Sequence, residues 1–282
     1  METGWISLSF DDALDQHLDT AIPVMNACGL LGTFYVHLSA PGFLRRADDW
    51  HAAADAGHEL GNHTVFHPAL GSKKWVRAGN AIDYYSLDRM RLELELANEW
   101  LMTIDGQAER TFAYPCSNSF VGHVGWTHRA LEMLRLNRTR LASWVDRFHL
   151  DIAATRQSYE TVVGELFVAG RGGGLMQGDE VPPVTVWSRT RLPSVAVENW
   201  TLNELQTHVT KALTRGTWAI LQFHGVGGGH HMDCSPSVFE EFVSWLRHEH
   251  AERVMTVLEG AQRIWPKNSQ HELSEIAAGT MP

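Results

Sequence analysis

The sequence predicts an α/β fold built on a parallel β-sheet, because short apolar runs alternate with longer amphipathic stretches along the chain. The short runs are rich in β-forming residues, whereas the longer stretches place apolar residues three and four positions apart, as helices do. Strands that alternate with helices form parallel sheets, either open or closed into a barrel. Apolar residues make up 44% of the 282 residues, so we expect one domain over residues 1–282 with a sizeable core.

In the first half of the chain, strands are predicted at residues 5–10, 33–38, 59–61 and 110–114. Helices are predicted at residues 15–28, 46–56 and 87–104. Gly57 and Gly106 follow the second and third helices, where glycine commonly ends a helix, and Ser86 is a suitable N-cap for the third. The more polar stretch 71–85 is predicted to be an inserted loop.

In the second half, helices are predicted at residues 127–136, 201–213 and 236–248. The helix at 201 begins with the capping-box pair Thr201 and Glu204. Strands are predicted at 141–143, 166–169, 217–223 and 254–258. Residues 184–192 fit either a strand or a long loop, and the residues after Pro266 fit a loose terminus or a short helix.

Composition excludes several classes of function. The net charge of −10 argues against a nucleic-acid partner, because phosphate binding requires a basic surface. There is no run of about 18 apolar residues, so no membrane-spanning helix is expected. The first residues lack the basic and apolar regions of a signal peptide, which fits either a protein that stays in the cell or one whose leader has been removed. The three cysteines show no Cys-x-x-Cys spacing, which indicates neither a zinc ribbon nor a thioredoxin-type site.

Chemically capable residues follow the predicted strands. Because ligands bind at the carboxyl ends of parallel strands, we expect these side chains to share one site. They are Asp11, Asp12, His63, His67, Cys116, Arg171 and His224.

The spacing His63-x-x-x-His67 would place two imidazoles on one helical face, within reach of one ion. With sixteen histidines in the chain, about one such pair is expected by chance. Two surface or supporting histidines are an equally good interpretation of the spacing alone. The adjacent carboxylates Asp11 and Asp12 favour the metal site, because a cation would relieve their repulsion, although an aspartate here also suits a helix N-cap. One aspartate with two histidines leaves positions open for water and substrate, as catalytic zinc requires.

His224 lies between an apolar predicted strand and the glycine-rich stretch 225–229. This position suits an accessible acid or base, and a structural histidine at a strand end is the alternative. No Gly-Lys-Ser/Thr follows the glycines, and no Gly-x-Ser-x-Gly occurs, so neither a P-loop nor a serine hydrolase is indicated.

Four segments in order resemble motifs of the polysaccharide deacetylase family, also known as the NodB homology domain or carbohydrate esterase family 4. They are Ser-Phe-Asp-Asp at 9–12, the run at 57–68 that contains His-Thr-x-x-His, Phe-Ala-Tyr-Pro-Cys-Ser at 112–117 and Leu-Gln-Phe-His-Gly at 221–225. The resemblance implies a distorted (β/α) barrel of mostly parallel strands. It also implies that Asp12, His63 and His67 bind a divalent ion, most often zinc and sometimes cobalt.

For catalysis, the resemblance implies that Asp11 is the base that activates the attacking water and that His224 is the acid that protonates the leaving group. The backbone N–H of Cys116 would contact the acetyl oxygen. One departure concerns the arginine that orients the base in this family, because Ala113 stands at its place. Arg110 is expected to be too far away. We predict that Arg171 substitutes for this arginine, with a solvated loop arginine as the alternative.

The resemblance implies removal of acetyl groups from an acetylated polysaccharide or oligosaccharide, as O-acetyl esters on xylan or N-acetyl amides on chitin or peptidoglycan. The acidic composition disfavours anionic polymers. A C–N hydrolase of small cyclic amides or imides, and a non-catalytic glycan-binding relative, are the alternatives. The predicted substrate contacts are Tyr114, Pro115, Trp200 and His230. Trp200 lies in Glu-Asn-Trp at 198–200, which weakly matches a further motif of the family, an aspartate with a nearby tryptophan. The loop aromatics Trp75, Tyr84 and Tyr85 are predicted either to stack on sugar rings or to pack locally.

Overall fold

The computed structural model describes residues 4–136, 139–147, 150 and 154–266. Its strands are β1 Trp5–Asp11, β2 Thr33–Val36, β3 Glu59–Asn62, β4 Phe112–Ala113, β5 Phe120–Val121, β6 Gln157–Ser158, β7 Gly170–Arg171, β8 Val195–Ala196, β9 Trp218–Phe223, β10 Gly225–Val226 and β11 Asp233–Cys234. Seven of them form a sheet in the order β7-β4-β3-β2-β1-β9-β8. Every neighbouring pair in this sheet is parallel.

The helices are α1 Ile22–Ala27, α2 Pro41–Arg45, α3 Ala47–Asp55, α4 Leu87–Asp105, α5 Trp126–Met133, α6 Arg140–Arg147, α7 Glu160–Leu166, α8 Leu202–Thr214, α9 Pro236–His250 and α10 Val257–Ile264. A π-helical turn, His17–Ala21, precedes α1. Ser86 caps α4 as predicted, and Gly106 ends it with a left-handed φ of 66°. Thr201 and Glu204 form the predicted capping box of α8. In the described residues, no helix is both long and apolar enough to cross a membrane.

The sheet curls until its two edges meet. Two parallel bridges, Arg171 with Leu192 and Leu175 with Val195, connect the β7 edge to the β8 edge. The backbone N–H of Gly172 donates to Leu192 O at 2.9 Å across this seam. The predicted distorted barrel with mostly parallel strands is therefore confirmed, with its carboxyl strand ends gathered at one mouth.

The core beneath that mouth is aromatic. Phe10 of β1 pairs in register with Phe34 of β2 and Phe223 of β9. Its ring stacks on both, with centroids 4.7 Å from that of Phe34 and 5.3 Å from that of Phe223. All three side chains are fully buried. Because close-packed interiors resist deformation, this stack fixes the ends of three strands relative to one another.

Three predicted strands differ from the structure. Residues 141–143 belong to the helix α6, because Leu141, Trp144 and Val145 have helical spacing, and Val145 is buried against α5. The segment 166–169 is not a strand. Its first residue ends α7, and although Val168 and Ala169 already hydrogen-bond to Arg110 and Phe112, the strand β7 covers only Gly170–Arg171.

The predicted last strand at 254–258 is also wrong. Val254 makes one isolated bridge to Ile6, after which Thr256 caps α10 through its hydroxyl and Glu259 completes a capping box. The apolar run Val254–Leu258 reads as a strand by composition, but the cap turns the chain into a helix. The prediction for the tail after Pro266 lies outside the described residues.

Candidate active site

The proposed metal ligands lie in two tight turns that leave β1 and β3. Asp12 follows β1 with a φ of 80°, and Thr64 and His67, after β3, have φ values of 72° and 51°. Such left-handed conformations are uncommon for residues other than glycine, and they concentrate where a site requires them. Thr64 supports its turn directly, because its hydroxyl accepts a hydrogen bond from the His67 N–H at 2.9 Å.

These turns bring one carboxylate oxygen and two imidazole nitrogens together. Asp12 Oδ1 lies 3.5 Å from His63 Nε2 and 3.3 Å from His67 Nε2. His63 Nδ1 lies 2.7 Å from Ala113 O, so it must carry a proton to donate, which leaves the Nε2 lone pair of the neutral ring facing Asp12. Asp12 Oδ1 is buried and has no hydrogen-bond partner among the described residues. This donor set fits a divalent ion that accepts nitrogen and oxygen ligands, such as zinc or cobalt.

The charge states of Asp12 and His67 also suit the binding of a metal ion. Burial alone would raise the pKa of Asp12, but the neighbouring imidazoles of His63 and His67 hold it well below its usual range. Burial and the neighbouring His63 lower the pKa of His67 to about 4, so its ring is neutral near pH 7. Metal ligands must be deprotonated, and both side chains meet that condition.

His224 and His230 form a second triad with Asp12, in which the donor atoms also lie within 4.8 Å of one another. His230 Nδ1 accepts a hydrogen bond from the Met232 N–H at 3.1 Å. The neutral His230 ring must then carry its proton on Nε2, which makes that atom a donor and not a ligand. The triad of Asp12, His63 and His67 is therefore the better metal site.

Asp11, the last residue of β1, is buried with three partners around its carboxylate. Arg171 Nη2 lies 2.6 Å from Oδ1 and 2.5 Å from Oδ2, and Gln222 Nε2 donates to Oδ2 at 2.9 Å. His224 Nε2 is 3.8 Å from Oδ2. Burial would raise the pKa of Asp11, but the charge of Arg171 and the nearby histidines His63 and His224 outweigh it, so the pKa is lowered and the group is ionised.

The register of the sheet explains how Arg171 reaches this position. Ala113, which stands where the resemblance led us to expect an arginine, pairs with Arg171 on the adjacent strand β7. The Arg171 side chain therefore enters the barrel beside Ala113 and passes over the Tyr35 ring, with its Cζ atom 5.0 Å from the ring centroid. Arg110 lies elsewhere, as expected, because it donates to Asp105 and to Leu60 O.

His224 directly follows β9 and is almost fully buried at the mouth of the barrel. His17 Nε2 lies 2.7 Å from its backbone oxygen. The His230 ring stacks on the His224 ring with a centroid distance of 4.5 Å. Burial lowers the pKa of His224, and the charges of Asp11 and Asp12 oppose this shift. The contact with His17 fixes the backbone of His224, and the His230 ring covers one face of its imidazole. The imidazole is thereby held close to both aspartates.

Cys116 follows β4 in a turn with a φ of 52°. The N–H groups of the next two residues are used within the turn, because Ser117 donates to Tyr114 O and Asn118 donates to Pro115 O. In the described residues, the Cys116 N–H has no acceptor. A free backbone donor beside a metal site is what an oxyanion-binding position requires.

These groups open into one cleft of about 1550 Å³. Its walls include Asp11, Asp12, His63, His67, Cys116, Gln222, His224 and His230, and Trp75 lies at its edge with 57% of its surface exposed. Tyr84 is exposed but does not line the cleft, and Tyr85 is buried beneath the Arg89 guanidinium. Of the three loop aromatics, only Trp75 is therefore placed to meet a sugar ring.

Three predicted substrate contacts are wrong, because the structure places them outside the cleft. Tyr114 is buried among Phe112 and Tyr159 in the core that packs against β4, and Pro115 is the buried first residue of the turn that contains Cys116. Trp200 is 4% exposed and belongs to the main core, where its ring meets His208. Each is an apolar residue close in sequence to the site whose side chain packs inward.

Gln222, Ser194 and His17 contact the site and were not predicted. Ser194 joins Arg171 and Gln222, because its Oγ accepts from Arg171 Nη1 at 3.1 Å and lies 3.3 Å from Gln222 Oε1. Gln222 could have been found, since it is the polar residue of an apolar strand and lies two positions before His224, on the same face. No sequence signal points to Ser194 or His17. Ser194 is 23 positions from its partner Arg171, and His17 is 207 positions from its partner His224.

Comparison with known proteins agrees with this geometry. Residues 1–139 match the model of the family described as polysaccharide deacetylase. Residues 1–139 thus belong to the polysaccharide deacetylase family. The matched segment contains both aspartates, His63 and His67, whereas Arg171 and His224 lie beyond it.

The polysaccharide deacetylase fold continues through the rest of the chain. A Mycobacterium smegmatis protein assigned to the polysaccharide deacetylases has 13% identity and a TM-score of 0.54, over 93% of this chain and 90% of that one. A mutant, with restored enzymatic activity, of a CE4 family pseudoenzyme from Bacillus anthracis has 13% identity and a TM-score of 0.51, over 91% and 67%. A peptidoglycan N-acetylglucosamine deacetylase has 15% identity and a TM-score of 0.50, over 90% and 86%.

A curated relative, a gellan lyase of a Bacillus species, is 31% identical over 116 residues. The match covers 40% of this chain and 4% of the lyase. The chain thus corresponds to a small part of that relative.

Proposed function

We propose that this protein hydrolyses acetyl groups on a polysaccharide or oligosaccharide, with a divalent ion held by Asp12, His63 and His67. The observation that carries the proposal is the arrangement at Asp12. Its buried oxygen has no hydrogen-bond partner within the described part of the chain and faces two imidazole nitrogens, while the adjacent Asp11 is paired with Arg171. Zinc is the ion we propose, because one carboxylate oxygen and two imidazole nitrogens leave coordination positions open.

The ion would supply Lewis acidity, which lowers the pKa of water and polarises the acetyl carbonyl. Asp11, ionised and fixed in orientation, takes a proton from the attacking water. The N–H of Cys116 donates to the oxygen on which negative charge develops. His224, held close to Asp11, gives its proton to the departing oxygen or nitrogen of the sugar. Both O-acetyl esters and N-acetyl amides fit these roles.

The test is a substrate panel with the zinc-loaded protein. Acetylated xylan, chitin oligomers and small cyclic imides are incubated separately, and released acetate and ring opening are measured. We expect acetate from at least one of the two glycans. Ring opening of an imide without acetate release would assign the site to C–N hydrolysis, and no product from any substrate with stoichiometric zinc bound would favour a glycan-binding protein.

Matched variants separate the roles of the residues. Asp11→Asn and His224→Ala should each remove most activity and leave the zinc content unchanged. His63→Ala should lower the zinc content itself. Full activity in either of the first two variants would refute the acid–base assignment, and full zinc content in the third would refute the ligand assignment.

A further inference from the structure

The charge of the cleft differs from that of the whole chain. The chain has a net charge of −10, but only three of the residues that line the cleft are acids. Asp11 pairs with Arg171, and Asp12 belongs to the candidate metal site. Asp15 lies 3.4 Å from an Arg46 nitrogen, although Arg46 also pairs with two further aspartates. Of the acids that line the cleft, Asp15 is thus the one that is only partly compensated.

Two cations on the inserted segment at 71–85 remain uncompensated. Lys73 and Arg77 line the cleft and are exposed, and neither has an acidic partner within the part of the chain that the structure describes. The wall of the cleft that this segment forms is thus positively charged, although the protein as a whole is acidic.

Lys73 also lies close to the reacting groups. Its Nζ is 6.0 Å from the centroid of the Trp75 ring, and that ring is 5.6 Å from the His67 ring. Burial raises the pKa of the Cys116 thiol, and the charge of Lys73 opposes this shift, which places the ammonium within electrostatic reach of Cys116. An acetyl group between the metal ligands and the Cys116 N–H would therefore have a lysine and an indole ring beside its sugar.

We propose that the glycan recognised by this cleft is acidic and carries a carboxylate, as a uronic acid does, on or next to the acetylated sugar. The indole of Trp75 offers an apolar face for a sugar ring, and Lys73 and Arg77 supply the counter-charge. This inference rests on the proposed deacetylase function and reverses the expectation drawn from net charge. Local charge at the site, and not the total, determines which ligand is attracted.

Binding, which requires no turnover, tests the inference apart from the proposed function. Tetragalacturonate without acetyl groups is titrated into the zinc-loaded protein by calorimetry, in parallel with the same oligomer after its carboxyl groups have been reduced to alcohols. The two probes share their linkages and ring stereochemistry and differ at C6, where an uncharged hydroxymethyl group replaces the carboxylate. We expect the acidic oligomer to bind about 2- to 20-fold more tightly, as two partly exposed ion pairs would provide, and the difference to shrink as salt is added.

The matched variants are Lys73→Gln with Arg77→Gln, and Lys74→Gln as the control, since Lys74 is an exposed neighbour that does not line the cleft. The double variant should lose the preference for the acidic oligomer with unchanged zinc content, and the control should keep it. Equal binding of the two probes by the unaltered protein, or an equal loss in the control, would overturn the inference. Charge-selective binding without acetate release from any acetylated glycan would instead count against the proposed function alone.

Discussion

Arg171 and Asp11 form a buried ion pair in which one guanidinium nitrogen lies within 2.6 Å of both carboxylate oxygens. The two side chains are 1% and 4% exposed. They come from strands on different parts of the curled sheet, and Arg171 enters beside Ala113 because β4 and β7 pair at that position. The ion pair fixes the orientation of Asp11, the proposed base. Its arginine comes from β7, whereas the resemblance led us to expect it on the adjacent strand β4.

Replacing Arg171 with methionine should damage both turnover and stability. Asp11 would lose its orientation, and misplacement of a catalytic group costs about 100-fold in rate. The carboxylate would also be left buried without its counter-ion, which typically lowers the free energy of unfolding by about 3–5 kcal/mol. Steady-state kinetics and urea denaturation measure the two effects. Full turnover in Arg171→Met would exclude the positioning role.

Moving the arginine from position 171 to position 113 tests whether a guanidinium on the neighbouring strand can also orient Asp11. In the double variant Arg171→Ala with Ala113→Arg, the new side chain would occupy the space that the first substitution empties. We expect this double variant to recover at least about tenfold in kcat/KM over Arg171→Ala. A folded double variant with no recovery would mean that Arg171 acts in some way other than by orienting Asp11.

Gln222 should contribute a smaller share of the same positioning. Gln222→Leu removes the 2.9 Å hydrogen bond to Asp11, which is worth about 1.5–3 kcal/mol for a charged acceptor, so kcat should fall by about 10- to 100-fold. Ser194→Ala is the matched control, because Ser194 contacts Gln222 and Arg171 without touching Asp11. An effect of Ser194→Ala as large as that of Gln222→Leu would show that the network matters as a whole and not the contact to Asp11.

His17 should position the proposed acid through its backbone. The ring is fully buried against Phe10 and Phe34, and burial lowers its pKa to about 4, so it is neutral near pH 7. A neutral ring 2.7 Å from His224 O must donate from Nε2. His17→Phe preserves the packing and removes this donor, whereas His17→Gln retains an amide donor at similar reach.

We expect kcat to fall by about tenfold in His17→Phe, with KM nearly unchanged, and to recover partly in His17→Gln. The pH profile of kcat is the second measurement, because a displaced His224 should shift the alkaline limb. If both variants only lower the melting temperature and leave kcat and its pH profile intact, His17 is a structural residue.

The alternation of strands and helices was sufficient to predict a parallel sheet and the meeting of its strand ends, whereas the closure into a distorted barrel was predicted from the family resemblance. The carboxylates, histidines and Arg171 could be chosen because they directly follow, or lie close to, predicted strands. The contact between Arg171 and Asp11 itself depends on β7 pairing with β4, and no local pattern encodes that register. The exact strand at 170–171 was missed for the same reason, since a strand of only two residues has no periodicity.

The direction in which a side chain points was the second property that could not be predicted from the sequence. Tyr114 and Trp200 carry the right chemistry for a sugar contact, yet both rings turn into the core. The turn at Cys116, with its φ of 52°, ends the alternation of the strand, so proximity in sequence to Cys116 does not place Tyr114 in the cleft. Lys73 and Trp75 show the converse, because a polar insertion with no strand or helix signal forms a wall of the site.

The stability of the fold should fall in mild acid, and His58 should account for part of the loss. His58 accepts a hydrogen bond from the Gly32 N–H at 3.1 Å and lies 3.0 Å from Asn26 Oδ1, and burial lowers its pKa from 6.5 to about 4. Between these two pH values, the unfolded chain binds a proton that the native ring does not. Unfolding free energy therefore decreases as pH falls from 6.5 towards 4, by up to about 1.4 kcal/mol per pH unit for this group.

The variant His58→Gln isolates the contribution of this ring, because the glutamine amide can serve the same two partners and does not titrate. Urea denaturation of both proteins at several pH values gives the comparison. We expect the curve for the variant to be shallower between pH 6.5 and 4 and parallel to that of the unaltered protein above this range, where the native and unfolded histidine are both neutral. Parallel curves throughout would mean that the native His58 ring takes up its proton as readily as the unfolded one, which the burial of the ring between Gly32 and Asn26 argues against.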